Sequence, residues 1–131
     1  MAASPDERKY SKEHEWVLVD GDAATIGITD FAQDQLGDVV YVDLPEPGAT
    51  ITQFEKMGEI ESVKAVSDLF TPASGAVIEV NQQVVEKPEV VNNDPHGAGW
   101  LIKIKLANAG ELDKLLTAAQ YDAFTAGEGA G

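Results

Sequence analysis

The middle of the chain contains a stretch rich in strand-forming residues, Gly58-Glu59-Ile60-Glu61-Ser62-Val63-Lys64-Ala65-Val66-Ser67-Asp68-Leu69-Phe70. Two strand-like arms meet around Val63-Lys64-Ala65, which predicts a β-hairpin with a lysine at its tip. Lys64 is the only basic residue between Lys56 and Lys87. We therefore expect its side chain to project from a tight turn, where another protein can reach it.

Three interpretations of Lys64 follow from this position. It can be a solvated turn lysine, a nucleophilic lysine that forms a Schiff base, or an acylated lysine that carries a swinging cofactor. A Schiff-base lysine needs a lowered pKa, whereas the nearby Glu59, Glu61 and Asp68 favour the charged ammonium form. The residues by themselves therefore leave the first and third interpretations open.

Strand patterns continue on both sides of this hairpin. Residues 15–19 and 23–28 flank the turn-forming triplet Asp20-Gly21-Asp22 and predict a second hairpin. The last predicted strand is the clearest, because apolar side chains alternate with a face that carries two lysines. One face carries Trp100, Ile102, Ile104 and Leu106. The other face carries Leu101, Lys103 and Lys105. The other strands are predicted at residues 39–44, 49–52, 58–62, 67–70 and 76–80.

Helix signals lie near the two ends of the chain. Asp30–Leu36 is predicted to be a short helix, with the Asp30 carboxylate as its cap and Gly37 as its left-handed stop. Thr117 and Gln120 form a capping-box pattern for a C-terminal helix. Because helices are confined to the ends and no crossover helix separates consecutive strands, the pattern predicts an antiparallel sandwich or barrel.

The composition limits the size and the chemistry of the molecule. The 131 residues suffice for one domain, predicted over residues 10–126 between a flexible segment at 1–9 and a frayed tail at 127–131. The chain has no cysteine, which excludes disulfides, thiol nucleophiles, iron–sulfur clusters and cysteine-bearing zinc sites. Its two histidines, His14 and His96, lack the close spacing of a zinc pair, so no metal site is predicted.

The charge limits the classes of partner. With 23 acidic and 9 basic residues, the formal net charge is −14, which repels nucleic-acid phosphates and anionic membrane surfaces. No apolar run reaches the roughly 20 residues of a spanning helix, and the first residues lack the apolar segment of a signal peptide. We expect a monomer that binds neither nucleic acid nor membranes.

The residues around Lys64 resemble those of a known family. Glu61-Ser62-Val63-Lys64-Ala65, followed by Ser67-Asp68, is similar to the lipoyl-attachment motif of the H proteins of the glycine cleavage system. The resemblance continues in order from Tyr10 to Phe124. Its further motifs are His14-Glu15-Trp16, Gly27-Ile28-Thr29-Asp30, Ala32-Gln33, Leu36-Gly37-Asp38, Val42-Asp43-Leu44-Pro45, Pro72-Ala73-Ser74-Gly75, Glu79-Val80-Asn81, Val91-Asn92 and Gly99-Trp100-Leu101.

The resemblance implies a mostly β fold, the lipoyl-type barrel–sandwich hybrid, with short helices near Asp30–Leu36 and at the C-terminus. It also implies that lipoate is joined to Lys64 through an amide by a lipoate ligase or a lipoyl or octanoyl transferase. The chain is then a carrier and not an enzyme. Its lack of cysteine fits this role, because lipoate brings the two sulfurs that the chain does not have.

The resemblance also implies the partners and a cleft. The carrier would receive an aminomethyl group from glycine decarboxylase, pass it to a tetrahydrofolate-dependent aminomethyltransferase, and then be reoxidised by dihydrolipoamide dehydrogenase. Glu15 and Asp68 match acidic residues that hold the ammonium end of the arm in a surface cleft. The expected compartment is the cytoplasm of a bacterium, or the mitochondrial matrix for a mature eukaryotic form.

Several alternatives stay open at this point. An H-like lipoyl protein that serves lipoate relay or protein lipoylation is one of them. A biotin carrier is disfavoured, because Val63 and Ala65 stand where methionines typically flank the modified lysine. For the two acidic residues, the alternatives are that Asp68 caps the hairpin and that Glu15 pairs with a nearby lysine.

The aromatic residues and histidines outside the hairpin are predicted to be mainly structural. Trp16 and Trp100 are expected to be core anchors. His14 can form a surface pair with Glu15 or line the cleft, and the sequence does not choose between the two. His96 departs from the family, in which a tyrosine commonly follows the Asp-Pro pair.

Overall fold

The computed structural model describes residues 7–130, with side chains described through residue 126. The described residues form nine strands: β1 Lys9–Tyr10, β2 Glu15–Asp20, β3 Ala23–Ile28, β4 Val39–Asp43, β5 Thr50–Ile51, β6 Lys56–Ser62, β7 Val66–Phe70, β8 Gly75–Val80 and β9 Ile102–Leu106. The helices are α1 Asp30–Leu36, α2 Gln82–Glu86, α3 Val90–Asn93, a 3₁₀ helix at Ala109–Lys114, and α4 Ala118–Ala130. Within the described residues, no helix is long and apolar enough to cross a membrane.

The strands form two antiparallel sheets. The larger sheet has the order β1-β2-β3-β9-β8-β5, and the smaller sheet has the order β4-β6-β7. Buried aliphatic side chains from both sheets form one core cluster, to which Ile26, Ile60 and Ile104 each contribute with at most 1% exposure. The mostly β fold with its predicted hairpins is thereby confirmed.

The final strand begins later than its pattern predicts. Ile102 and Ile104 are fully buried as expected, but Leu101 is also fully buried and Trp100 is only partly buried. Both residues precede β9, so the alternation of the strand does not apply to them. Trp100 packs against the second core cluster, which contains Tyr10, Trp16 and Tyr121, but it is only partly buried, so the prediction that it anchors the core is confirmed in part. Its ring lies beneath the ammonium of Lys103, 4.9 Å from the ring centroid.

Helix α1 has the predicted bounds but a different cap. The side chain of Thr29 accepts a hydrogen bond from the amide of Ala32, which makes Thr29 the N-cap. Asp30 instead accepts a hydrogen bond from the side chain of Gln33 at 2.9 Å. Gly37 ends the helix with a φ of 79°, in the left-handed range that favours glycine.

Helices α2 and α3 contradict the prediction that helices are confined to the ends of the chain. Asn81 caps α2 by accepting a hydrogen bond from the amide of Gln83 at 3.1 Å. Its side-chain amide also donates to the carbonyls of Ala98 and Trp100. Helices of five and four residues are too short to produce a helical period in the sequence, and tertiary contacts stabilise them.

The capping box of the C-terminal helix is confirmed. Thr117 donates its amide to the side chain of Gln120 at 2.9 Å, and Gln120 donates its amide to the Thr117 hydroxyl at 3.2 Å. Helix α4 continues to Ala130, beyond the boundary predicted at residue 126. Residues 1–6 of the predicted N-terminal segment and Gly131 lie outside the described residues, and the division of the chain at 10–126 stays a prediction.

Candidate functional site

The β6–β7 hairpin presents Lys64 at its tip, as the sequence predicts. The amide of Ser62 donates to the carbonyl of Ala65 at 2.8 Å and closes the turn. The Ser62 hydroxyl oxygen accepts hydrogen bonds from the amides of Lys64 and Ala65, at 3.3 and 3.2 Å. Ser62 is buried, so a short polar side chain fixes the turn from inside. Sequence reasoning missed this role of Ser62.

A second set of contacts ties the tip to the segment that follows α1. The amide of Val63 donates to the carbonyl of Asp38 at 3.0 Å. Asn92 of α3 donates its side-chain amide to the carbonyl of Gly37 at 2.8 Å and accepts from the amide of Val39 at 2.8 Å. The tip therefore rests on a segment that Asn92 holds in place. The family-like Val91-Asn92 motif was the only signal that could have found it.

The Lys64 side chain itself is exposed. Its stem lies against Gly37, where an added Cβ would stand 3.4 Å from the Lys64 Cε. Val63 and Val66 on either side are 68% and 60% exposed, so an apolar surface surrounds the lysine. A lysine placed in this way is accessible to a modifying enzyme, and a glycine at position 37 leaves room for its stem.

The acidic residues predicted around Lys64 have another partner. Glu59 and Asp68 each form an ion pair with Lys56, with a distance of 3.2 Å from the Lys56 Nζ to a carboxylate oxygen in both cases. The hydrogen bonds that the Lys56 ammonium donates to these two carboxylates raise the pKa of Lys56. Since all three side chains are about half exposed, these surface pairs contribute little stability. They leave the ammonium of Lys64 outside this cluster.

A cleft of about 620 Å³ lies beside the hairpin. One wall consists of β7 residues with Ser67 and Asp68, and the other of α1 residues with Phe31 and Gln35. Glu15, the first residue of β2, also lines this cleft. The structure thus brings together the two acidic residues named from the sequence, in a cleft next to the turn that carries the lysine.

Glu15 is the buried acid of the cleft, with 2% exposure. The hydroxyl of Ser11 donates to its Oε1 at 2.7 Å, and the amide of Phe70 donates to its Oε2 at 3.3 Å. Burial raises the pKa of Glu15 to about 8, although these two hydrogen bonds act in the opposite direction. Neither partner carries a charge, so the alternative pairing of Glu15 with a lysine is not what the structure contains.

Asp68 differs from Glu15 in exposure and in partner. Its side chain is 47% exposed and its Oδ1 forms the ion pair with Lys56. It lies on β7 opposite Glu59, within the ladder between β6 and β7 and not at the turn. Asp68 therefore does not cap the hairpin. The cleft combines one shielded carboxyl with one hydrated carboxylate.

The two histidines occupy different places. His14 lines the cleft and has a left-handed backbone conformation, with a φ of 72°. His96 packs near the indole of Trp16, with ring centroids 6.3 Å apart. Burial and the nearby Arg8 guanidinium lower the pKa of His96. Trp16 is 1% exposed, which confirms it as a core anchor, and its indole donates to the carbonyl of Pro95 at 3.0 Å.

A metal has no evident place in this site. Among the residues that the structure describes, no three histidine, aspartate or glutamate side chains form a group that could hold a metal ion. The side chains that the site offers are an exposed lysine amine at the hairpin tip and carboxyl groups in the adjacent cleft.

Comparisons with known proteins agree with this geometry. The family model described as glycine cleavage H-protein matches residues 8–128. A glycine cleavage system H protein of Symbiobacterium thermophilum is 58% identical over 125 residues, covering 95% of this chain and 98% of that protein. The corresponding protein of Beutenbergia cavernae is 59% identical over 124 residues, with the same coverage.

A solved structure gives the same result at the level of the fold. The crystal structure of a glycine cleavage system H protein from Mycobacterium marinum superposes with a TM-score of 0.87 at 43% sequence identity. The match covers 94% of this chain and 99% of that one. The two sheets and the short helices described above therefore follow the architecture of that protein.

Proposed function

Because the chain belongs to the glycine cleavage H-protein family, we propose that it carries lipoate in amide linkage on Lys64 and serves as the lipoyl carrier of the glycine cleavage system. The observation that supports this most strongly is the exposed lysine at a turn fixed by Ser62, next to a cleft lined by carboxyl groups that include Glu15 and Asp68. When bound, lipoate supplies two sulfurs on a flexible tether, which a chain without cysteine lacks.

The residues at the tip fit such a group. Lys64 is exposed, its stem has room over Gly37, and the turn is held by backbone and side-chain hydrogen bonds. Exposed Val63 and Val66 give an approaching enzyme an apolar contact area around the reactive amine. Attachment by a lipoate ligase or a lipoyl or octanoyl transferase requires this accessibility, and the chain itself needs no catalytic group for it.

We further propose that Glu15 and Asp68 hold the ammonium end of the aminomethyl cargo in the cleft. Both residues line the same cavity, whose volume of about 620 Å³ accommodates an extended aliphatic arm. Glu15 is shielded from water and has uncharged partners, so it is available to a cation that enters the cleft. Burial of the cargo there would keep it away from hydrolysing water.

The partners follow from the same assignment. The carrier receives its cargo from glycine decarboxylase, delivers it to the tetrahydrofolate-dependent aminomethyltransferase, and is returned to its oxidised form by dihydrolipoamide dehydrogenase. It is a non-catalytic component and acts as a monomer. The relatives compared above are bacterial, which supports the cytoplasm as its compartment.

Intact-mass measurement tests the attachment site. We expect the protein expressed with lipoate and an active lipoate ligase to gain one lipoyl increment, and the Lys64→Arg variant to gain none, since arginine cannot form the amide. Lys87→Arg is the matched control, because Lys87 is an exposed lysine elsewhere in the chain. A parent protein that remains unmodified, or a Lys64→Arg variant that is modified, would contradict the proposal.

A second measurement distinguishes glycine cleavage from lipoate relay. The lipoylated protein is incubated with glycine decarboxylase and isotopically labelled glycine, and the label on the carrier is measured by mass spectrometry. Transfer of one aminomethyl group per lipoyl group supports the carrier of glycine cleavage. A lipoylated protein that accepts no label but donates lipoate to another lipoyl domain would instead support the relay.

A further inference from the structure

The hydroxyl of Tyr121 makes two hydrogen bonds, one buried and one partly buried, that the proposed function has not used. Tyr121 lies on α4 and is 1% exposed. Its hydroxyl oxygen is 2.8 Å from Nδ1 of His14 and 2.6 Å from Oγ1 of Thr29. The C-terminal helix thus reaches two residues that are far from it in the sequence.

One partner of Tyr121 lines the cleft, and the other caps a helix that lines it. His14 lines the cleft directly. Thr29 is the N-cap of α1, since its hydroxyl accepts from the amide of Ala32 at 3.2 Å. Phe31 and Gln35 of that helix line the opposite wall. One hydroxyl group therefore joins the residue before β2 to the start of α1.

The backbone of His14 needs such support. Its φ of 72° lies in the left-handed range, which is uncommon for a residue with a side chain, although histidine is among the more frequent ones there. Its amide donates to the carbonyl of Ser11 at 3.1 Å, and its carbonyl accepts from the amide of Thr29 at 3.0 Å. Persistent unusual backbone conformations require a surrounding structure that fixes them.

Aromatic packing fixes the rings on either side of this hydroxyl. The ring of Tyr121 stacks on Tyr10 with centroids 4.9 Å apart. The imidazole of His14 packs against Phe31 at 4.9 Å and against Phe124 of α4 at 6.0 Å. This packing holds the ring of Tyr121 in place even without its hydroxyl. The hydroxyl adds the two directional hydrogen bonds to His14 and Thr29.

The two hydrogen bonds also constrain each other. A phenol has one proton, so it donates to only one of His14 and Thr29, and the other residue has to donate to the phenol oxygen. Whether Nδ1 of His14 carries the proton therefore determines whether Tyr121 donates to Thr29 or accepts from it. Removal of the phenol oxygen ends both bonds at once.

We propose that Tyr121 is a positioning residue for the cleft, whose hydroxyl orients the imidazole of His14 in the cleft wall and joins it to the cap of α1. This inference rests on the proposed function, because the ordered wall is what encloses the cargo held by Glu15. Tyr121 touches no reacting atom and acts through His14. Helix α4 is then part of the carrier site and not only a terminal support.

The test replaces Tyr121 with phenylalanine, which keeps the stacked ring and removes the hydroxyl. In the unmodified protein, we expect the ¹⁵N signals of the His14 ring to lose the signature of a hydrogen-bonded Nδ1. In the lipoylated and charged protein, we expect the cargo to be lost to water roughly three- to tenfold faster, the factor given by one lost hydrogen bond.

Tyr41→Phe is the matched control, because Tyr41 is 56% exposed on β4 and does not line the cleft. It should leave both the His14 signals and the loss of cargo unchanged. A Tyr121→Phe variant that retains its cargo as long as the parent protein would overturn the inference, whatever happens to the His14 signals.

A second variant tests the inference in case Tyr121→Phe does not fold. His14→Asn removes the imidazole while keeping a residue that tolerates the left-handed conformation. We expect it to release cargo as fast as Tyr121→Phe, and the double variant to be no faster, because both act through one contact. Release from His14→Asn at the rate of the parent would also overturn the inference.

Glu15→Gln separates this inference from the function it rests on. If Glu15→Gln accelerates the loss of cargo and Tyr121→Phe does not, the cleft function stands and the positioning role fails. If neither variant changes the loss, the cleft assignment itself fails and the inference fails with it. Parallel acceleration by both variants supports the two together.

Discussion

We expect the carboxyl group of Glu15 to be neutral when the cleft is empty and ionised when the cleft holds a cation. Its burial raises its pKa to about 8, so at pH 7 the empty cleft contains mainly the protonated acid. An ammonium group that docks against it favours the carboxylate, and docking therefore releases a proton. The strength of docking should consequently depend on pH.

The predicted direction is tighter holding of the cargo as the pH rises from 6 toward 8. Below the pKa of Glu15, each pH unit increases the ionised fraction by up to about tenfold, so the retention of the cargo should rise steeply and then level off above pH 8. Cargo loss from the charged carrier, followed by mass spectrometry at several pH values, measures this.

The matched control is Glu15→Gln, which removes the titrating group and keeps the size of the side chain. Glu13, His14 and Asp68 line the same cleft and are present in both proteins, so the comparison isolates the change at Glu15. We expect the variant to lose cargo faster at pH 8 and to show a flatter profile. Two profiles of equal steepness would exclude Glu15 as the proton-linked group.

Lys64 and Glu15 differ in how far the sequence could identify them. Lys64 was located because a lysine between two strand-like arms is a local pattern, and the resemblance gave it a role. Glu15 could be named only by that resemblance, since its burial in the cleft depends on tertiary structure, as its bond with the distant Phe70 shows, and the nearby Ser11 alone does not predict it. The hydroxyl of Ser62, by contrast, bonds amides only two and three residues away, so its role in the turn is local, although its burial is not.

At the scale of the elements, α3 supports the lysine hairpin through a single side chain. Asn92 joins the carbonyl of Gly37 and the amide of Val39, and it also donates to the side chain of Gln33 at 3.1 Å. The tip in turn depends on this segment through the bond between Val63 and Asp38. The order of the tip should therefore depend on Asn92.

Asn92→Ala should lower the free energy of unfolding by about 1–3 kcal/mol, because it leaves a partly buried amide and carbonyl without partners. Urea denaturation measures this change. We also expect the amide of Val63 to exchange with solvent faster than in the parent protein, while amides in β2 and β3 keep their protection.

Asn93→Ala is the matched control, since Asn93 is the next residue on the same helix and is exposed. Its substitution should change the free energy of unfolding by no more than about 0.5 kcal/mol. Equal effects of the two substitutions would show that α3 acts only through its helical propensity and not through the Asn92 contacts.

The same elements show which parts of the fold a sequence predicts. The hairpins, α1 and the capping box of α4 depend on residues close together in the chain, and their bounds came out nearly as expected. Helices α2 and α3 depend on caps and on contacts with distant segments of the chain, as the bonds from the Asn81 side chain to the carbonyls of Ala98 and Trp100 illustrate. Trp100 was misplaced for a similar reason, because the end of a strand is set by its neighbours.

For the whole molecule, the pH dependence of stability follows from the charge balance and from Glu15. The net charge of −14 opposes folding through repulsion between like charges, which increases as more carboxyl groups ionise. Glu15 acts in the same direction. Its pKa is about 8 when folded and 4.5 when unfolded, so between these values the folded state binds more protons than the unfolded state.

The sign is therefore a loss of stability as the pH rises. The contribution of Glu15 is fully present below pH 4.5 and is lost as the pH rises through about 8. Within this window, it changes the free energy of unfolding by up to about 1.4 kcal/mol per pH unit. Glu15 thus lowers the stability of the folded chain at neutral pH, as expected for a carboxyl kept in a cleft to bind a cation.

Urea denaturation of the parent protein and of Glu15→Gln at pH 5, 6, 7 and 8 tests this. The variant lacks only this titration, so the repulsion among the remaining carboxylates cancels in the difference between the two proteins. Glutamine cannot accept from both Ser11 and Phe70 as the carboxyl does, which adds a constant penalty. We expect the variant to gain stability relative to the parent with each step in pH, and a difference that stays constant from pH 5 to 8 would show that Glu15 ionises as readily in the folded chain as in the unfolded one.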